Sequence, residues 1–259
     1  MDAIIDVTAA PPLHTVIEGS ALCALIGAFL HPCDLVPFRE EVEGVAGAFL
    51  IRNAFSAAEA AALCVAVRLA HAEASSLQQG GGARRNSQHH CALHVPPSAL
   101  APLGARLRAL LPATAGPGSS AALAPPGQEL STFLRCYHYL PGDMSMPHWD
   151  KSFTVSERHT LKSFTAYSLL LYASDTCEGG KTTFFAADTA AAVQTGRAHL
   201  TPRCEGVALT VAAAVTPRVG DALVFPHGLH KGAHPSPLHE GSLVTLGEKI
   251  LIRTDVVYA

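Results

Sequence analysis

A histidine and an aspartate two residues apart, His148 and Asp150 in the string Met146-Pro147-His148-Trp149-Asp150, offer one imidazole nitrogen and one carboxylate oxygen to a common point. Side chains at i and i+2 of a strand face the same way, so such a pair can reach a single metal ion, with Trp149 between them turned outward. The pattern is short and, alone, weak; it needs a third ligand from elsewhere in the chain. The C-terminal region holds four histidines, His227, His230, His234 and His239. Two histidines and one carboxylate on one face of a metal leave three positions open. Two of those positions suit a chelating 2-oxo acid, whose far carboxylate then needs a fixed cation. Ten residues beyond His239 stands Lys249, whereas the same step from His227, His230 or His234 reaches Pro237, Glu240 or Val244. Only His239 has a cation at that spacing.

These residues must be positioned by a scaffold, and the hydrophobic periodicity describes one. From Leu130 onward the period is two, with Phe133, Arg135, Tyr137 and Tyr139 on one side of a strand. Further strands are expected at 165–172, 181–185, 207–215, 222–225 and 248–257, separated by Gly and Pro clusters. A strand is also expected at 44–51. Upstream, Ser56 and Glu59 form a capping box for an alanine-rich helix reaching about Ala74, with Leu63, Val67 and Ala70 on its apolar face. A second helix is expected at 98–111, ended by Pro112. Helices first and many short strands afterwards predict a mainly β chain with flanking helices and a double-stranded β-helix core, a jelly roll of the cupin-like kind. The division expected is a leader at 1–43 and a single domain at 44–259, with helical support at 44–127 and the β-helix core at 128–259.

Composition bounds the alternatives. Of 259 residues, 49% are hydrophobic and 15% charged, which supports a sizeable core and argues against disorder. A net charge of −3 writes no attraction to nucleic acid or to an anionic membrane into the chain, so neither is expected as a partner. Seven cysteines without paired spacing suit a reducing compartment. The apolar run 21–30 is preceded by Asp2, Asp6 and Glu18 rather than by basic residues, and it is too short to span a bilayer. A cytoplasmic protein is the expectation. Gly180-Lys181-Thr182 lacks the glycine five positions earlier that a phosphate-binding loop requires, since position 175 is Asp. His89-His90-Cys91 with His94 has metal-capable side chains but no second half at zinc spacing.

Ordered strings extend the case. Arg135-Cys136-Tyr137-His138-Tyr139-Leu140-Pro141-Gly142-Asp143 leads to His148 and Asp150; Ser168 to Tyr172, Glu178-Gly179-Gly180-Lys181-Thr182 and Val219 to Phe225 follow; His239-Glu240-Gly241, Lys249 and Ile250 to Tyr258 close the chain. Together these resemble the prolyl 4-hydroxylase-like 2-oxoglutarate/Fe(II)-dependent dioxygenases over residues 130–258, and more loosely over 45–112, where Arg85-Asn86 falls. The resemblance implies Fe(II) held by His148, Asp150 and His239, with 2-oxoglutarate as co-substrate. It implies that Lys249 pairs with the distal carboxylate of 2-oxoglutarate and that Tyr139 hydrogen-bonds it. Arg253, four residues beyond Lys249 on the same strand face, is a second candidate for that carboxylate or a substrate contact. The implied reaction consumes O2, converts 2-oxoglutarate to succinate and CO2, and hydroxylates a C–H bond, of a prolyl or other amino-acid residue or of a small molecule. Ascorbate is a possible reductant. Asp150 argues against the halogenase variant, in which this carboxylate is missing. A cupin-like metal-binding protein without oxygen chemistry is the rival, and it would not need Lys249 or Tyr139 set for a dicarboxylate.

Overall fold

The computed structural model describes residues 34–77, 90–155, 163–187, 194–195, 202–203, 208–227 and 236–259. The apolar run 21–30, Arg85-Asn86, His89, His230 and His234 lie outside the described residues.

Two strands come first, β1 (Phe38–Glu41) and β2 (Phe49–Arg52). Then follow helix α1 (Ala57–Leu77), β3 (His90–His94), helix α2 (Pro97–Leu107) and a 3-10 turn at Arg108–Leu110. The β-rich part holds β4 (Phe133–Tyr139), β5 (Ser145–His148), β6 (Thr154–Val155), β7 (Ser163–Tyr172), β8 (Glu178–Gly179) and β9 (Thr182–Phe185). It continues through β10 (Gln194–Thr195), β11 (Pro202–Arg203), β12 (Val211–Val215), β13 (Ala222–Pro226), β14 (His239–Gly241), β15 (Val244–Leu246) and β16 (Lys249–Tyr258).

The large sheet runs β1-β2-β13-β7-β16-β4-β3, with β6 beside β7, and the small sheet runs β12-β9-β14-β5. Along the chain the core strands run β4, β5, β7, β9, β12, β13, β14 and β16, crossing between the two sheets at every step except β9 to β12, which pair with each other, and this is the winding of a double-stranded β-helix. Strand β16 lies between β7 and β4 in the large sheet and is buried along all ten residues. Its pleat divides two cores. Ile250, Ile252, Val256 and Tyr258 face the helices, with Leu63, Val67 and Ala70 of α1, each fully buried. Leu251 faces the interior between the sheets, with Tyr139, Leu170, Tyr172, Phe184 and Phe225. Lys249, Arg253 and Asp255 share the inner parity, which carries three charged groups into the barrel.

Helix α1 begins as its sequence requires. Glu59 N–H donates to Ser56 Oγ at 3.1 Å, and Ser56 N–H donates to Glu59 Oε2 at 2.6 Å. Glu59 also accepts from Arg106 of α2 at 2.8 and 3.0 Å, so one carboxylate caps the first helix and fastens the second to it.

Three elements differ from the expectation. Residues 38–41, assigned above to a leader, pair with β2 and form the edge of the large sheet. The segment expected as a strand at 44–51 is a turn followed by β2 from Phe49. The segment His90–His94 is strand β3, pairing with β4 so that Cys91 lies across from Cys136, both buried as free thiols. Among the described residues, no helix is long and apolar enough to cross a membrane.

Candidate metal centre

The two sheets bring His148, Asp150 and His239 to one point. His148 closes β5, His239 opens β14, and the register makes them Cα partners, with ring centroids 4.3 Å apart. Asp150 lies just past the end of β5 rather than on it. Strand alternation therefore selects the correct pair, but hydrogen bonds aim the carboxylate. Ser168 Oγ donates to Asp150 Oδ2 at 2.6 Å, and the Arg253 guanidinium donates to Oδ1. The metal-capable atoms of the three side chains lie within 4.8 Å of one another, and among the described residues no other such group gathers. His148 Nε2 is 3.7 Å from Asp150 Oδ1, and His239 Nε2 is 3.7 Å from Oδ2.

Backbone carbonyls set both tautomers. His148 Nδ1 lies 2.7 Å from the Met146 carbonyl, and His239 Nδ1 lies 3.0 Å from that of Pro237. A carbonyl only accepts, so each Nδ1 carries the proton and each Nε2 turns a lone pair to the shared point. The rings of Phe184 and Phe225 pack on His239 at 5.8 and 4.7 Å. Burial pushes the His239 imidazole down to about 3, and His148 beside it acts in the same direction, so it is neutral and free to donate its lone pair. Burial alone would raise the Asp150 carboxyl. Arg253 above all, then His239, His148 and the Ser168 hydroxyl, hold it instead well below the usual carboxylate range. Two imidazoles and one carboxylate, on one side of a point open to the pocket, suit a divalent first-row ion such as Fe(II).

The pocket at this point extends between Tyr137, Tyr139, Leu170, Thr182 and Lys249; Trp149 does not line it. Lys249 is 1% exposed, and its Nζ lies 5.3 Å from the Tyr139 ring centroid and 6.0 Å from that of Tyr172. No carboxylate among the described residues pairs with it. Burial pushes its ammonium down to about 8, with only the Cys177 thiol acting in the opposite sense. A buried cation without a counter-ion is costly unless an anion arrives.

The glycines of the Glu178-Gly179-Gly180 string have a steric reason to be there. A Cβ on Gly180, at φ +59°, would stand 3.3 Å from Lys249 Cδ, where the lysine stem passes. A Cβ on Gly179, at φ +76°, would stand 2.2 Å from the Leu243 carbonyl oxygen, where β8 meets β15. Gly179→Ala is expected to destabilise the fold by about 2–4 kcal/mol in urea unfolding, from left-handed strain plus a backbone clash. A change below about 1 kcal/mol would show that this approach relaxes freely.

Arg253 does not face the pocket as a free cation. It hydrogen-bonds Asp150 and meets Asp255 Oδ1 at 3.1 and 3.2 Å, and Arg135 reaches Asp255 Oδ2 at 3.3 Å. Burial would lower the guanidinium, but the two aspartates outweigh it and keep the group fully charged. Two further residues are neighbours of the site, through contacts that the sequence does not specify. The Ser168 hydroxyl, available in the sequence as a hydrogen-bond donor, finds Asp150 as its acceptor, and His227, expected to line the pocket if it served the site, is instead wholly buried behind Ser168 and does not line it. No sequence spacing announces that contact.

No protein-family model and no curated protein matches the chain. Among solved structures, it is similar to the viral collagen prolyl hydroxylase of Paramecium bursaria Chlorella virus-1 in its 2-oxoglutarate complex, at 16% identity and TM-score 0.47, over 82% of this chain and 95% of that one. It is similar to HygX from Streptomyces hygroscopicus with nickel and 2-oxoglutarate bound, at 16% identity and TM-score 0.46, over 82% of each chain. It is also similar to a Pseudomonas putida prolyl-4-hydroxylase, at 16% identity and TM-score 0.44, over 81% of this chain and 91% of that one.

Proposed function

We propose that this protein is an Fe(II)- and 2-oxoglutarate-dependent dioxygenase that hydroxylates a substrate C–H bond and releases succinate and CO2. The observation that carries the proposal is a His-Asp-His set with donor atoms within 4.8 Å, beside a buried lysine that pairs with no carboxylate among the described residues. His148, Asp150 and His239 are assigned as the iron ligands. Lys249 and Tyr139 are assigned to the distal carboxylate of 2-oxoglutarate, and Arg253 is withdrawn from that role because Asp150 and Asp255 already engage it.

Iron(II), when bound with 2-oxoglutarate, supplies the activation of O2 that no side chain provides. The chain's own residues do the rest. His148 and His239 present their lone pairs in fixed tautomers, and Asp150 contributes the one negative charge. Lys249 supplies a point charge rather than a bidentate fork, so the dicarboxylate is oriented mainly by its other end and by the Tyr139 hydroxyl. The aromatic walls keep water from the cation and from the site. A cytoplasmic setting and ascorbate as the reductant belong to the same proposal. A prolyl or other amino-acid residue of a peptide is the first substrate to test, on the resemblance of the sequence motifs, and a small molecule the second.

The test is an anaerobic titration of the purified protein with Fe(II) and 2-oxoglutarate. A weak visible charge-transfer band is expected only when both are present, and His239→Ala is expected to abolish it. Iron binding without the band would retire the oxygenase proposal in favour of a cupin-like metal-binding protein.

A further inference from the structure

A chain of hydrogen bonds leads away from Asp150 through groups that the proposed reaction does not use. Ser168 Oγ, buried on β7, is 2.6 Å from Asp150 Oδ2 and 2.9 Å from His227 Nδ1. His227 Nε2 is 2.9 Å from Thr165 Oγ1, and the Phe153 N–H donates to that same oxygen at 3.0 Å. His227 is fully buried and Thr165 is 1% exposed. Burial pushes the His227 imidazole down to about 4, so it is neutral and carries one proton.

The direction of every bond then follows. An ionised carboxylate only accepts, so the single Ser168 proton goes to Asp150. Ser168 must then accept from His227, which places the imidazole proton on Nδ1 and leaves Nε2 as an acceptor. Thr165 Oγ already accepts from a backbone amide, and its own proton fills His227 Nε2. Asp255 Oδ1, 3.6 Å from His227 Nδ1, is too far to compete. Each member has one arrangement, and bonds in such a series polarise one another.

The backbone is shaped for this chain. Thr165 and Ser168 are three apart on β7 and would face opposite ways in a regular strand. Val256 pairs with Tyr167 and Val257 with Thr165, so Ala166 is the extra residue of a bulge that returns Thr165 to the face of Ser168. The bulged Ala166 carbonyl accepts the His227 N–H at 2.8 Å, which fixes the imidazole's own backbone at the same place.

We propose that His227 and Ser168 are positioning residues for the metal site, a one-way relay from the Ala166 bulge that holds the Asp150 carboxylate and tunes its donor strength. The proposal rests on the metal role assigned to Asp150. Without the imidazole donor, the Ser168 hydroxyl is free to rotate away. With it, the serine proton has only the carboxylate to go to.

Co(II) titration of the metal-free full chain, followed by visible absorption, tests the relay. Ser168→Ala and His227→Phe are expected to weaken Co(II) binding about tenfold or more, the usual scale for lost partners of metal ligands. His227→Asn sets an amide N–H in place of the Nδ1–H and is expected to stay within about threefold of the parent, as is Ser168→Thr. Unchanged Co(II) affinity in Ser168→Ala would overturn the relay, and this variant deletes a single oxygen, so it decides even where His227→Phe does not fold. Equal losses in His227→Asn and His227→Phe would also overturn it, because shape alone would then explain the histidine. A separate reading needs no metal: 15N NMR of histidine-labelled protein is expected to show His227 as the Nδ1–H tautomer, and the Nε2–H tautomer would refute the proposed direction. A folded parent that binds no Co(II) yet shows the Nδ1–H tautomer would sink the metal assignment itself, and with it the relay's purpose, while leaving its hydrogen-bond geometry in place.

Discussion

Lys249→Met is expected to abolish 2-oxoglutarate binding and, at the same time, to raise the melting temperature of the ligand-free protein at neutral pH. The two effects share one cause. Lys249 is 1% exposed, lies beside the Tyr139 and Tyr172 rings and the Cys177 thiol, and pairs with no carboxylate among the described residues, so its charge is tolerated in the ligand-free fold at a cost. Its ammonium is pushed down to about 8 from an ordinary 10.5. A group whose folded value is depressed in this way binds protons more tightly when unfolded, so stability increases as pH rises from about 8 to about 10.5. Below that window both states are protonated and the penalty is constant, at about 3 kcal/mol. Methionine removes it while keeping a similar stem, so the variant's advantage is full at pH 7 and gone near pH 10.5. For a protein of this size a gain of that order corresponds to roughly 5 °C or more. Ligand binding has the opposite sign, since the distal carboxylate needs the charged lysine. Affinity of the parent is expected to be flat below about pH 8 and to fall toward tenfold per unit above it, while the variant loses about a hundredfold or more at pH 7. Calorimetric titration with 2-oxoglutarate and melting curves from pH 6 to pH 10 measure both. A variant that binds within a few-fold of the parent, or that melts lower at pH 7, would move the dicarboxylate away from Lys249.

The reason this residue could be found in the sequence is that its position depends on local geometry alone. His239 and Lys249 sit on the last core strands of the two sheets, joined by a short connection, so a fixed count separates ligand from cation. The two histidines proposed as ligands are brought together by register, because β5 and β14 pair with His148 opposite His239. Arg253 is a different case. Its parity on β16 was legible, but its partner depends on where the segment after β5 carries Asp150, and no periodicity encodes that. The relay from Thr165 to Ser168 was hidden for a related reason: strand alternation puts those residues on opposite faces, and only the bulge at Ala166 reverses it. At the sheet edges, Phe38-Arg39-Glu40-Glu41 shows no alternation because all four residues are exposed, so the hydrophobic pattern gave no sign of β1. Strand β3 was masked by the histidines of His90-Cys91-Ala92-Leu93-His94, which draw attention to metal chemistry, although Cys91 and Leu93 are simply core.

Arg253→Met separates the two roles that the sequence left open for this arginine. In the metal-free protein, Arg253 supplies a full positive charge to Asp150, a buried carboxylate whose other hydrogen bond among the described residues comes from the Ser168 hydroxyl. Removing one partner of a buried pair leaves the other uncompensated, and the expected destabilisation of the metal-free protein is about 3–5 kcal/mol. Asp255 suffers less, because Arg135 still reaches it at 3.3 Å. A divalent ion at the triad replaces the missing charge on the same carboxylate. Metal and guanidinium are thus antagonists at Asp150, and the variant is expected to bind Zn(II) or Co(II) roughly tenfold more tightly than the parent. Its melting temperature should accordingly rise more on metal addition than that of the parent, recovering most of the loss. The alternative role predicts the reverse pattern: an Arg253 that held the 2-oxoglutarate carboxylate would, when replaced, leave metal affinity and metal-free stability nearly unchanged and remove the dicarboxylate. Thermal melts with and without Zn(II), and 2-oxoglutarate binding to the Co(II) form, distinguish these outcomes in one variant. Only the first is compatible with an arginine whose charge is already shared between Asp150 and Asp255.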